Sequence, residues 1–149
     1  MGALNNVYDV YNDMLDKGMF ASNATIVTIS SDTTTVGAVI DTQGYAKLAI
    51  VFSVGVMTDG DFEFKIYHDT AVGMGTEAEL ASTDYTGTIP DWDDHATEDD
   101  SIELVDITLR KRYVRIKCVS TSTSTGAIVV CIGLLHGARH LPVNSTQTP

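Results

Sequence analysis

Apolar side chains along this chain recur with two different periods, and the change between them falls near residue 20. Over residues 1–20, Leu4, Val7, Val10, Tyr11, Met14 and Leu15 stand three and four apart. That spacing predicts a short amphipathic helix ending near Gly18. Its stripe, with Leu4, Val7, Tyr11 and Leu15, needs a partner, either the chain's own sheet or a neighbouring subunit. Beyond it the period falls to two, which predicts strands over residues 25–30, 36–41, 46–54 and 61–67. In the last of these Phe62, Phe64 and Ile66 share one face, while Glu63, Lys65 and Tyr67 share the other. Asp59-Gly60 reads as a hairpin turn joining the third and fourth strands, because glycine accepts the positive φ that primed turns need.

Residues 68–101 lose this regularity. Gly, Ala, Thr and Asp dominate, and Pro90 does not suit a helix interior or a central strand, so a long acidic loop with at most one short strand is expected. Three further strands follow over residues 102–109, 112–119 and 127–135. Seven or eight strands in this length imply an all-β fold, a jelly-roll-like β-sandwich with a short N-terminal helical arm. The expected organisation is an arm over 1–20, the sandwich over 21–143 and a tail over 144–149.

A tight turn around Thr123 to Gly126 would pair the last two strands, setting Cys118 opposite Cys131, Ile116 opposite Gly133 and Val114 opposite Leu135. On the reverse face Tyr113, Arg115 and Lys117 would lie beside Val130, Ile132, Leu134 and His136. The last strand is therefore apolar on both faces, and its second face needs a cover, either the N-terminal segment or another subunit. This makes Arg112, Tyr113, Arg115, Ile132 and Leu134 candidates for an interface with another protein subunit, together with the stripe on the arm. Neighbouring-strand geometry strains a disulfide, so Cys118 and Cys131 are expected as free buried thiols.

Composition narrows the function. The 149 residues carry a net charge of -11, which disfavours a phosphate-binding groove, so nucleic acid is not an expected partner. No apolar run approaches the length of a membrane span, and the first residues lack the pattern of a secretory signal, so a cytoplasmically made protein without a membrane partner is expected. Between Asp84 and Asp106 lie nine carboxylates and no Lys or Arg. Asp91, Asp93 and His95 imitate the first positions of a calcium loop, but Ala96 and Ile102 stand where the glycine and the bidentate glutamate belong. A solvated acidic loop, with no metal, is the expectation. The basic cluster Arg110, Lys111, Arg112, Arg115 and Lys117 follows directly and either neutralises that loop or meets it across an interface. The four histidines fall in no metal-ligand pattern, and no nucleophile elbow or phosphate loop occurs, so neither a cofactor nor an enzymatic role is expected. Trp92 and Tyr85 sit among the carboxylates, where they would anchor the loop, fill a partner's pocket or stack on a sugar.

Three stretches carry a resemblance: Ile40, Asp41, Gly44 and Tyr45 at the start of one strand, Arg112-Tyr113-Val114-Arg115 before the late strands, and Arg139, Pro142 and Val143 near the end. In this order, across residues 36–143, the chain resembles the jelly-roll head decoration, or capsid cement, proteins of tailed phages. The resemblance implies a virion protein on the capsid outer surface that assembles as a homotrimer and clamps subunits of the major capsid protein. The acidic segment 84–106 departs from that pattern. A carbohydrate-binding module of a tail or fibre, using Trp92, Tyr85 and the carboxylates, is the alternative expectation.

Overall fold

The computed structural model describes residues 27–93 and 95–139. The N-terminal stripe of Leu4, Val7, Tyr11 and Leu15 and the tail from residue 144 lie outside the described residues. The elements are β1 (Val27–Ile29), β2 (Thr33–Val36), β3 (Ile40–Asp41), β4 (Tyr45–Met57), β5 (Asp61–Asp69), β6 (Ala78–Glu79), a 3-10 turn (Ser82–Asp84), β7 (Tyr85–Gly87), β8 (Asp91–Trp92), β9 (Ile102–Thr108), β10 (Tyr113–Thr121) and β11 (Ala127–Ala138). They build two antiparallel sheets, one ordered β1-β11-β4-β9-β7 and one ordered β2-β10-β5-β6, with β3 on β10 and β8 on β5. The arrangement is a β-sandwich.

Alternation along the long strands decides which side chains fill it. Leu48, Ile50, Phe52 and Val54 of β4 point inward and are buried, as are Phe62, Phe64 and Ile66 of β5. Fully burying side chains of this size stabilises by roughly 1.5–3 kcal/mol each. The sheets meet through Phe52 and Phe64, edge to face at 5.1 Å, and Phe64 in turn packs edge to face on Trp92 at 5.3 Å.

Two expected hairpins are not present. β4 and β5 do not pair: β4 lies between β11 and β9, while β5 lies in the other sheet against β10. The Asp59-Gly60 link therefore carries the chain from one sheet to the other, with Gly60 at φ +97 and no room for a side chain against Thr123. β10 and β11 likewise belong to different sheets, so Cys118 neighbours Phe64, Cys131 neighbours Phe52, and the two strands share no ladder. The physical reason is a shared anchor. The Asp59 carboxylate accepts the amide N–H groups of Ser124, Thr125 and Gly126 and the Ser124 hydroxyl, binding both sheet-changing links to each other at one end of the sandwich. Those bonds, led by the Ser124 hydroxyl, hold the Asp59 pKa well below the carboxylate range. Both cysteines are free, and burial pushes each thiol up to about 12.

Smaller differences concern segments the alternation did not resolve. The expected strand 36–41 is interrupted, although Gly37 still donates to the Ile116 carbonyl at 2.9 Å and both pieces, β2 and β3, pair with β10. The acidic loop carries three short strands. It is bound to the edge of β5 by Leu80 N–H to Ile66 O at 2.8 Å and Phe64 N–H to Pro90 O at 3.0 Å, and it buries Leu80 and Trp92.

Candidate functional site

Register assigns the outer face of the five-stranded sheet residue by residue. Since Leu48, Ile50, Phe52 and Val54 point in, Lys47, Ala49, Val51 and Ser53 point out. Directly opposite residues share a face, so three rows run across β11, β4 and β9: Val130, Ser53 and Ile102; Ile132, Val51 and Leu104; Leu134, Ala49 and Asp106. Ile102 is 68% exposed, Leu104 56% and Ile128, at the start of β11, 49%. The outer layer of a two-sheet sandwich is ordinarily polar, and an apolar patch of this extent marks a contact surface. One end of the patch is closed by charge. Lys47 Nζ lies 2.8 Å and His136 Nε2 2.6 Å from the two oxygens of Asp106. Burial alone would raise the Asp106 pKa, but those two hydrogen bonds outweigh it and hold the carboxyl below its ordinary value.

The other sheet is finished differently. Arg115 and Lys117 both donate to the Glu77 carboxylate, Lys117 also stands over the Tyr67 ring at 4.5 Å, and Lys65 pairs with Glu63 at 3.0 Å. The Lys117 hydrogen bond, against the cost of burial and with help from Arg115, keeps the Glu77 carboxyl below its usual range. Arg115 is thus placed in an ion pair within the chain, and it does not lie beside Ile132 and Leu134.

The remaining sequence candidates separate. Ile132 and Leu134 fall on the apolar face. Arg112 grips Asp41 through two bonds of 2.8 and 2.7 Å and covers the Tyr113 ring at 5.0 Å. Trp92 is 3% exposed and belongs to the core beside Phe64, because β8 pairs with β5 and sets Trp92 opposite Phe62; it offers no free ring to a partner. Tyr85 is half-buried against the same core. Val51, Ile102 and Leu104 were not singled out from sequence, although both parities of 102–109 carry aliphatic residues, the signature that exposed the two-faced character of the last strand. Glu77, followed by Glu79 in a stretch without strand alternation, gave no signal. Among the described residues no group of three or more His, Cys, Asp or Glu side chains is placed to hold a metal ion, and no helix is long and apolar enough to cross a membrane. No family model and no curated protein matches this chain.

Proposed function

We propose that this chain is a jelly-roll-like virion structural protein that decorates and cements a phage capsid, its apolar sheet face seated on subunits of the major capsid protein. The observation that carries the reading is that face: aliphatic rows across β11, β4 and β9, with Ile102, Leu104 and Ile128 exposed and Val51, Val130, Ile132 and Leu134 half-buried, bounded by the Lys47, Asp106 and His136 cluster. The resemblance to tailed-phage head decoration proteins supports the choice of partner, and the acidic surface suits the outside of a shell better than the side facing DNA. Each contact would be shallow. Repetition by the symmetry of a homotrimer on a capsid lattice would supply avidity without a deep pocket. The carbohydrate-binding alternative rests on Trp92, Tyr85 and the carboxylates of the acidic loop, and the burial of Trp92 with the partial burial of Tyr85 weighs against it.

The test is rebinding to capsids stripped of the protein. The unaltered chain should bind, and a Leu104→Glu, Ile132→Glu double variant with an unchanged circular dichroism spectrum should bind on the order of 100-fold more weakly, since central apolar anchors carry most of an interface's energy. Equal binding by the two chains would sink the proposal.

A further inference from the structure

The sandwich is electrically polar along its strands. At the end where β4 begins and β11 finishes, three chain segments converge on a cleft bearing Arg110, Lys111, Arg112 and Arg139. Local bonds hold them there. Thr42 donates its amide and hydroxyl to the Arg112 carbonyl at 2.9 and 2.6 Å, while Arg139 donates its amide to Gly44 O at 2.8 Å and its Nε to Tyr45 O at 3.0 Å. Within the cleft's surroundings Arg110 pairs with Asp84 and Arg112 with Asp41. Among the described residues no carboxylate pairs with Lys111 or Arg139, so the cleft keeps an excess of positive charge, with the side chains of Arg110 and Arg112 60% and 44% exposed. Beside Gly44, at φ +92, nothing approaches within 4 Å of where a Cβ would sit, which leaves the floor open.

The opposite end has the opposite sign. The β10–β5 ladder runs from Tyr113 opposite Asp69, next to the cleft, to Thr121 opposite Asp61, nine pairs and about 27 Å away. There Asp61, Glu63, Asp91 and Asp93 line a shallow hollow. Glu98, Asp99, Asp100 and Glu103 follow in the same loop and the start of β9, and Lys65, already bound to Glu63, is the nearest cation in sequence to Asp61. Burial first, then repulsion from Glu63, Asp93, Asp61 and Glu98, raises the Asp91 pKa, the response of a carboxylate lacking a cation. A cleft with an excess of cations and a hollow with an excess of carboxylates thus lie at opposite ends of the β10–β5 ladder, too far apart for one to neutralise the other.

We propose that the basic cleft formed by Arg110, Lys111, Arg112 and Arg139 takes the acidic end of a second copy of this chain, so that copies join head to tail along the strand direction. Such a contact is heterologous, and the rotation between successive copies decides whether it closes into a ring or continues as a filament. Its acidic half lies on the outer side of the β10–β5 sheet and it uses no part of the apolar β11–β4–β9 face, so it holds or fails separately from the capsid-binding reading.

The experiment is solution mass by light scattering on the full chain, with no capsid present. In about 20 mM salt the chain should self-associate, and in about 0.5 M salt, where screening reaches only a few ångströms, it should be monomeric. Lys111→Glu with Arg139→Glu, and separately Asp91→Lys with Asp93→Lys, should each raise the dissociation constant on the order of 100-fold. Each variant retains one sound end, so mixing the two should restore association, which also shows that both are folded. A monomeric wild type at low salt, variants that keep the wild-type mass, or a mixture that stays monomeric would each overturn the proposal. Binding of polyglutamate in the cleft without any self-association would overturn the second copy as its occupant.

Discussion

The two sheets bury similar inner faces and end in outer faces of opposite character. On the β10–β5 sheet the outward positions are led by Arg115, Lys117, Lys65, Glu63 and Tyr67, with Glu77 bound to Arg115 and Lys117 and with Val36 and Val119 among them. On the β11–β4–β9 sheet they are Val130, Ile132, Leu134, Val51, Leu104 and Ile102, with Ser53 the one polar side chain in those rows before Asp106. The first face is finished by bonds the chain makes to itself. The second spends aliphatic side chains where they gain nothing in the free molecule, a cost that selection tolerates where another surface arrives to cover them. Self-satisfaction on one face and exposed aliphatic side chains on the other are what set the two sheets apart.

Several measurements would break or sharpen that contrast. The largest effect should come from the layer both faces share: Phe52→Ala removes the ring that joins the sheets and should cost about 3–5 kcal/mol in chemical denaturation, still in a single transition. Two separate transitions would mean that the faces belong to independent units. Glu77→Gln should cost about 1 kcal/mol, because it strips the shared anion from Arg115 and Lys117, whose pairing is only partly screened; no loss would mean the polar face is not held by this bond.

Acid should act on the bonded regions and pass over the aliphatic one. Asp59, Asp69, Glu77 and Asp106 are all held below their ordinary values, so the stability they contribute is present above about pH 4.5 and is lost as pH falls through their folded pKa values. Asp91 is raised and works the other way, gaining stability on protonation, and Asp91→Asn should remove that opposing contribution. A midpoint that begins falling well above pH 5 would contradict this assignment. The smallest effect is the most discriminating: Ile102→Ser and Leu104→Ser should each change the stability of the isolated chain by no more than about 0.5 kcal/mol. A loss of about 2 kcal/mol would show that the face is already covered in the free molecule.

Strand identity was largely legible in the sequence, and strand pairing was not. Alternation in Phe62, Phe64 and Ile66 located β5 and its inward face, and the aliphatic run 127–135 gave β11 with both of its faces. Asp-Gly and a Ser/Thr-Gly run favour a reversal, but a reversal within a sheet and a step between sheets use the same residues. What distinguishes them here is the Asp59 carboxylate reaching 65 to 67 residues along the chain to Ser124, Thr125 and Gly126, a contact with no local signature. The same limit hid the cleft, where Arg139 joins Arg110 to Arg112 through the turn at 42–45. For Trp92 the sequence left two roles open, a loop anchor and an interface ring, and two residues of pairing with β5, which no local pattern signals, turn it into the core as an anchor.

The two steps between sheets also govern how the molecule is made. With β4 and β5 in different sheets, and β10 and β11 likewise, none of the long strands pairs with the next long strand as a hairpin, and β5 meets locally only the two-residue β6. β5 waits for β10, and β4 holds its largest ladder with β11, the last strand described. Chains whose pairings span such separations fold in milliseconds to seconds and not in microseconds. During synthesis β9 can cover one edge of β4, but the other edge stays unpaired until β11 is made, so a nascent chain stopped before residue 127 would present that edge of β4 open, a template for aggregation in place of a sandwich.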